Sequence, residues 1–146
     1  LERCRVLHNI GHLKLTLGDA QGALAFFNPA LELAEQLGSR EGQGIIRTCM
    51  AEALAKVGDA AQARSFFESA LAIFAEIHER TEQAYAQWHY GLFLIDHEER
   101  ERGLELMRTC LAYYQEINHH DAAKDAAIVA RLEAGETVSA VLASST

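Results

Sequence analysis

Shifted by 40 residues, the chain lies on itself: Gly18-Asp19 falls on Gly58-Asp59, and the neighbouring letters follow. Ala23, Ala63 and Gly103 coincide, then Phe27, Phe67 and Met107, then Ala30, Ala70 and Cys110, then Leu31, Leu71 and Leu111. Upstream of each turn the same shift joins Gly11, Ala51 and Gly91. Small positions stay small and large ones stay large in three copies. A chain built this way must stack like units, because a single unit of this length cannot bury its own apolar face.

Each unit reads as two helices. Twenty-five Ala, one Pro and no run of alternating β-branched residues leave no strand to place. In the first helix Leu7, Ile10, Leu13 and Leu17 recur at helical spacing and form its expected apolar stripe. Gly18 can take the left-handed cap, and Asp19 can accept from the next helix's free N–H groups. Gly11 and Ala23 allow the two helices to approach closely, with Phe27 and Leu31 as the apolar face between them. Pro29 falls inside the second helix, where it removes a backbone hydrogen bond, so a kink is expected near Phe26 to Asn28. In the third unit Glu98-Glu99 replaces Gly-Asp, and a turn that closes without glycine is expected to be looser. Asp121 can cap a shorter helix, Ala122 to Ala134, ended by Gly135.

A small residue in the first helix, a Gly-Asp turn, then Ala, an aromatic and Ala-Leu in the second helix resemble the tetratricopeptide repeat. The resemblance covers residues 5 to 118. It implies an all-α, helical-hairpin solenoid winding as a right-handed superhelix. Three repeats, at about 3–39, 40–79 and 80–119, precede a capping helix at 121–134. Residues 1–135 form one domain in this reading, and 136–146 a tail or linker. The 40-residue spacing, with Leu37-Gly38 closing a long second helix, is similar to the long-repeat variety of bacterial signalling proteins and MalT-like transcriptional activators.

In such arrays the first helices line a concave groove that receives a peptide or a partner helix. The resemblance maps that lining onto Arg5, His8, Asn9 and His12, then Ile45, Thr48, Cys49 and Glu52, then Tyr85, Trp88, His89 and Leu92. The last helix adds Asp125, Ile128, Val129 and Leu132. The family's carboxylate clamp needs Lys, Asn and Arg at positions that hold His8, His12, Cys49, Tyr85 and His89 here, so a receptor for chaperone C-termini is not expected. Tyr85, Trp88 and Leu92 suit an apolar or helical ligand, and they equally suit packing between units.

The remaining chemistry is sparse. His8 and His12 stand on one helix face, but two imidazoles without a third ligand make no metal site. Cys49 near His8, His12 or His89 is the one nucleophile constellation, and helical hairpins offer no oxyanion hole. Cys110 belongs to the core register, and His119-His120-Asp121 reads as a solvated turn with a cap. Three scattered cysteines, Cys4, Cys49 and Cys110, spell neither a disulfide framework nor a zinc site and fit a reducing cytoplasm. Thirteen basic against 21 acidic residues give 13 − 21 = −8, which repels a phosphate backbone. No window approaches the roughly 18 apolar residues of a membrane span. The chain opens without Met and already in helical pattern, as a segment of a longer protein would.

The expectation is therefore a non-enzymatic protein-interaction module without cofactor or metal, binding a protein or peptide and contacting neither nucleic acid nor membrane. It reads as part of a larger bacterial regulator. Two alternatives stand beside it: a homodimerisation or scaffolding segment, and a metal- or small-molecule-binding domain built on His8, His12 and Cys49.

Overall fold

The computed structural model describes residues 1–144. Eight α-helices follow one another among them, and no strand occurs: α1 (Glu2–Thr16), α2 (Ala20–Gln36), α3 (Arg40–Val57), α4 (Ala60–Glu76), α5 (Arg80–Asp96), α6 (Arg100–Glu116), α7 (Ala122–Glu133) and α8 (Val138–Ala143). They form two compact units that divide between Glu82 and Gln83, in the first turn of α5.

The turns explain the spacing. Gly18, Gly38, Gly58, His78, Glu98 and Asn118 all have positive φ, between 53° and 91°, and they recur every 20 residues. After each, the next N–H bonds back five residues: Asp19 to Lys14 at 2.8 Å, Ser39 to Ala34 at 2.9 Å, Asp59 to Leu54 at 2.9 Å, Glu79 to Phe74 at 3.0 Å, Glu99 to Leu94 at 2.9 Å and His119 to Tyr114 at 2.8 Å. This is the Schellman closure of a helix, and it satisfies carbonyls that the helix end would leave free. The Glu98 turn is therefore no looser than its glycine counterparts. Glu98 adopts the left-handed conformation at φ 68°, and the closing bond matches that of the Gly58 turn.

Helix starts are capped as Asp19 and Asp59 predict: their side chains accept from Gly22 N–H at 2.8 Å and Gln62 N–H at 3.1 Å. Ser39 does the same for α3, accepting from Gly42 N–H at 3.1 Å. Asp121 does not cap α7 with its side chain. Its carboxylate instead stands 3.4 Å from Nε2 of His120. Pro29 lies within α2, which continues through it as one helix.

In the first unit, α2 packs against both α1 and α3, and α3 against α4. Ala23, Phe27, Ala30 and Ala34 of α2 are fully enclosed, as are Ala63, Phe67 and Ala70 of α4 apart from a trace of Phe67. Each enclosed Phe contributes about 1.5–3 kcal/mol of apolar burial. A Cβ on Gly11 would meet the Phe27 ring at 2.6 Å, and one on Gly44 the Phe74 ring at 2.6 Å, so each glycine is the seat of an aromatic. The α1 stripe is a correction. Cys4, Gly11 and Leu15 face inward and Leu7 is half-buried, whereas Ile10, Leu13 and Leu17 face solvent.

In the second unit Ile95, Leu104, Met107, Ile128, Val129, Leu132, Val138 and Val141 share one core. The backbones of α5 and α6 touch where Gly91 meets Gly103. Ile128, Val129 and Leu132 are thus core side chains, not groove lining. Of the expected tail, residues 138–143 form α8, capped by Thr137 Oγ1 accepting from Ala140 N–H at 3.1 Å and anchored by buried Val138 and Val141. Residues 145 and 146 of that expected segment lie outside the described residues.

Candidate functional site

The side chains of the expected groove fall in two places, one in each unit. In the first unit, the N-terminal halves of α1 and α3 enclose a cleft of about 330 Å³. Leu1, Cys4, Arg5 and His8 line it from the α1 side, and Ser39, Glu41, Gly42, Ile45 and Ile46 from the α3 side. Three predicted residues, Arg5, His8 and Ile45, meet there. Leu1, Cys4, Glu41 and Ile46 were missed, as were Ser39 and Gly42. Their signal was legible, because Ser after Gly38 marks the start of a helix, and Gly42 leaves the cleft floor without a side chain.

His8 is half-buried, 3.5 Å from Cys49 Sγ through Nε2. Its ring centroid lies 6.2 Å from that of His12 and 6.1 Å from that of Phe27. Burial, and then the charge of His12, hold the His8 imidazole below its ordinary titration range, so it stays neutral at pH 7. Arg5 is the cation of the cleft lining, exposed and paired with Glu2 at 2.7 Å, and Glu41 stands on the α3 side. A second recess, about 380 Å³, runs along α1 past His8, Asn9, His12, Leu13 and Thr16.

Thr48 and Cys49 lie beneath this face. Both are buried, and the Thr48 hydroxyl donates to the Gly44 carbonyl at 3.0 Å. Burial, and then the charge of Glu52, push the Cys49 thiol far up, so no thiolate forms for nucleophilic chemistry. Glu52 is half-buried. Arg47 braces the α3 side: it donates to Ser69 Oγ of α4 and, at 3.2 Å, to Glu35 of α2.

In the second unit Tyr85 and His89 pair at 4.3 Å between ring centroids. Trp88 and Leu92 are partly buried against the Ile95, Leu104 and Met107 core. Asp125 is buried in the same unit, and burial, then Asp121, raise its carboxyl above the usual range. Among the described residues, the group of three metal-capable side chains is His119, His120 and Asp121, with ligand atoms within 4.8 Å of one another. His8, His12 and Cys49 form no such group among them. Nδ1 of His119 already accepts from Asp121 N–H at 3.1 Å, which suits the solvated turn read from the sequence.

No helix among the described residues is long and apolar enough to cross a membrane. A crystal structure of BtubC (BKLC) from P. vanneervenii is similar to this chain, with a TM-score of 0.69 at 18% sequence identity. The match covers 97% of this chain, which spans only 63% of that one, and at this identity the likeness shows the fold alone. No curated protein sequence matches the chain. A sequence model of the tetratricopeptide repeat, whose members generally mediate protein–protein interaction, matches residues 2–76. With that match over half its length, added to helical hairpins closed at a fixed interval, the chain belongs to the tetratricopeptide repeat family.

Proposed function

We propose that this protein is a non-catalytic interaction module whose α1–α3 cleft receives an acidic, apolar-anchored peptide or partner helix. The observation that carries the reading is the convergence of Arg5, neutral His8 and Ile45 on one cleft of about 330 Å³. Apolar walls of Leu1, Ile45 and Ile46 suit an aliphatic or aromatic anchor, and Arg5 at the rim suits a carboxylate beside it. The half-buried Tyr85 and His89 pair offers a separate contact in the second unit. In this reading the chain is the sensory or scaffolding part of a larger bacterial signalling or transcriptional regulator of the MalT-like kind. Three free, buried cysteines support a cytoplasmic location. The net charge of −8 supports a protein partner over nucleic acid.

The test is an array of 12-residue peptides, varied in acidic and apolar content, probed with the wild-type chain and an Arg5→Glu, Ile45→Asp variant. Acidic peptides with one large apolar residue should bind the wild type and lose at least tenfold in affinity with the variant, circular dichroism being unchanged. Equal binding to both, or preference for basic peptides, would sink the reading.

A further inference from the structure

The turn before α7 departs from the repeat. Helices α3 and α5 begin at Arg40 and Arg80, so the next helix in register would begin at His120. Helix α7 begins at Ala122 instead, which leaves His120 and Asp121 in a lengthened turn behind His119. At these places the earlier copies carry Ser39-Arg40-Glu41 and Glu79-Arg80-Thr81. Capping does not account for the change, since Ser39 caps α3 with its side chain and Asp121 does not cap α7.

The three side chains converge. Nε2 of His120 lies 3.4 Å from Oδ2 of Asp121, and one ligand atom from each of His119, His120 and Asp121 falls within 4.8 Å of the others. In a tetrahedral site with bonds of about 2.0–2.2 Å, neighbouring ligand atoms stand about 3.3 Å apart. The His120 and Asp121 pair is already at that separation, and the widest gap has about 1.5 Å to close by side-chain rotation. The His119 ring is oriented by stacking, on Tyr114 of α6 at 4.2 Å and on His120 at 4.4 Å. Its Nδ1 accepts the Asp121 N–H, so that nitrogen presents a lone pair and Nε2 carries the proton.

An independent observation beside the turn points to a cation. Asp125 lies one helical turn beyond Asp121, its N–H bonded to the Asp121 carbonyl at 2.8 Å, which sets the two carboxylates on one face. It is only 9% exposed, yet among the described residues nothing donates a hydrogen bond to its carboxylate. The earlier copies hold Ile45 and Tyr85 at this place. A buried carboxylate without a partner is costly unless positive charge meets it. Burial and then the charge of Asp121 hold the Asp125 carboxyl above its usual range, while Lys124, His119 and His89 act the other way.

We infer that His119, His120 and Asp121 bind a divalent transition cation of the zinc class, with Asp125 supplying a second negative charge behind them. Two imidazoles select such a cation over Mg²⁺ or Ca²⁺, which take oxygen ligands. The cation takes the Nδ1 lone pair of His119 in place of the Asp121 N–H, which turns to water at the surface. All four residues belong to the second unit, and the site does not depend on the α1–α3 cleft.

The probe is Zn²⁺ alone, titrated at neutral pH into the full chain after chelator treatment and buffer exchange, and read by calorimetry. Saturable binding of one equivalent is expected, weakened at least tenfold by His120→Ala and by Asp125→Asn. The His120 side chain is exposed and Asp125→Asn keeps the side-chain shape, and circular dichroism checks that both variants stay helical. A His8→Gln, His12→Gln variant should bind as the wild type does. Co²⁺ in place of Zn²⁺ should give a spectrum without a thiolate charge-transfer band. No binding, binding indifferent to either substitution, or equal affinity for Ca²⁺ would overturn the proposal. So would a thiolate band or loss of binding in the His8→Gln, His12→Gln variant, since the cation would then sit in the first unit or on a cysteine.

Discussion

Nε2 of His8 and Sγ of Cys49 lie 3.5 Å apart and tie α1 to α3 beneath the cleft. In a catalytic dyad such a pair would hold an imidazolium and a thiolate. Here burial pushes both groups the other way, His8 down and Cys49 up, so the neutral forms face each other. Cys110 is fully enclosed, and burial followed by the Asp125 charge pushes its thiol up to about 12. Cys4 alone of the three lines the cleft. A thiol reagent at pH 8 should therefore modify Cys4 first, and Cys49 and Cys110 only at the rate of local or global opening. Mass spectrometry of partly labelled chain checks the order. Early modification of Cys49 would show that its burial fails in solution.

The same pair sets a pH dependence. An imidazole whose folded value is depressed binds fewer protons in the folded than in the unfolded chain once pH falls below the unfolded value near 6.5. Its contribution is complete above that value and is lost as pH falls through it toward the depressed folded value. Glu82 and Asp125 have raised carboxyls, each through burial first, and they act in the opposite direction at lower pH. The His8 component is isolated by comparison with His8→Gln. Between pH 7.5 and 5.5 the wild type should lose more stability than the variant in urea titrations. Parallel curves would mean that His8 is solvated.

Glu98 holds a left-handed turn at φ 68° that Gly18 and Gly58 hold at 88° and 91°. A Cβ makes that conformation costly, and glycine removes the cost while gaining entropy in the unfolded chain. Glu98→Gly should stabilise the protein by up to about 1 kcal/mol, and Gly58→Ala should destabilise it by about the same amount. Thermal unfolding measures both, with a shift of about 2–4 °C for 1 kcal/mol in a chain of this size. A destabilised Glu98→Gly would show that its carboxylate makes a contribution larger than the backbone strain.

The repeat was legible because its signal sits in residues whose size is fixed by packing. Phe27, Phe67 and Met107 fill equivalent places, and all three are enclosed. The finer period of 20 was not legible, since His78, Glu98 and Asn118 replace glycine where only the backbone conformation repeats. The inward face of α1 was misread for a related reason. Helical spacing identifies a stripe but not its direction, and the inward face uses small residues, Cys4 and Gly11, beside Leu15. Arg5, His8 and Ile45 could be placed on one cleft from repeat register. Thr48 and Cys49 share that register yet lie one layer deeper, a difference of rotation about α3 that spacing does not resolve. The α8 segment was read as a tail because six residues carry too little periodicity, although Thr137 was a cap signal.

Gly91 and Gly103 make the sharpest packing prediction. A Cβ on Gly91 would stand 2.7 Å from the Gly103 carbonyl oxygen, and one on Gly103 would stand 2.5 Å from the Gly91 carbonyl oxygen. Met107 Cγ lies nearer still to the Gly91 position, at 2.4 Å, and can turn aside, but these carbonyls are helix backbone, so an added methyl is accommodated only by moving α5 and α6 apart. Gly11 differs, because its obstacle is the Phe27 ring, a side chain with a torsion to yield. Alanine within a helix gains about 0.5–1 kcal/mol of propensity over glycine, and overpacking costs about 1–3 kcal/mol. Gly11→Ala should therefore come out destabilised by about 1 kcal/mol or less, and Gly91→Ala by about 2 kcal/mol or more. Urea midpoints of the two variants beside the wild type decide the order. A Gly91→Ala chain as stable as wild type would mean that α5 and α6 do not approach as closely in solution, and the contact between their backbones would have to be abandoned.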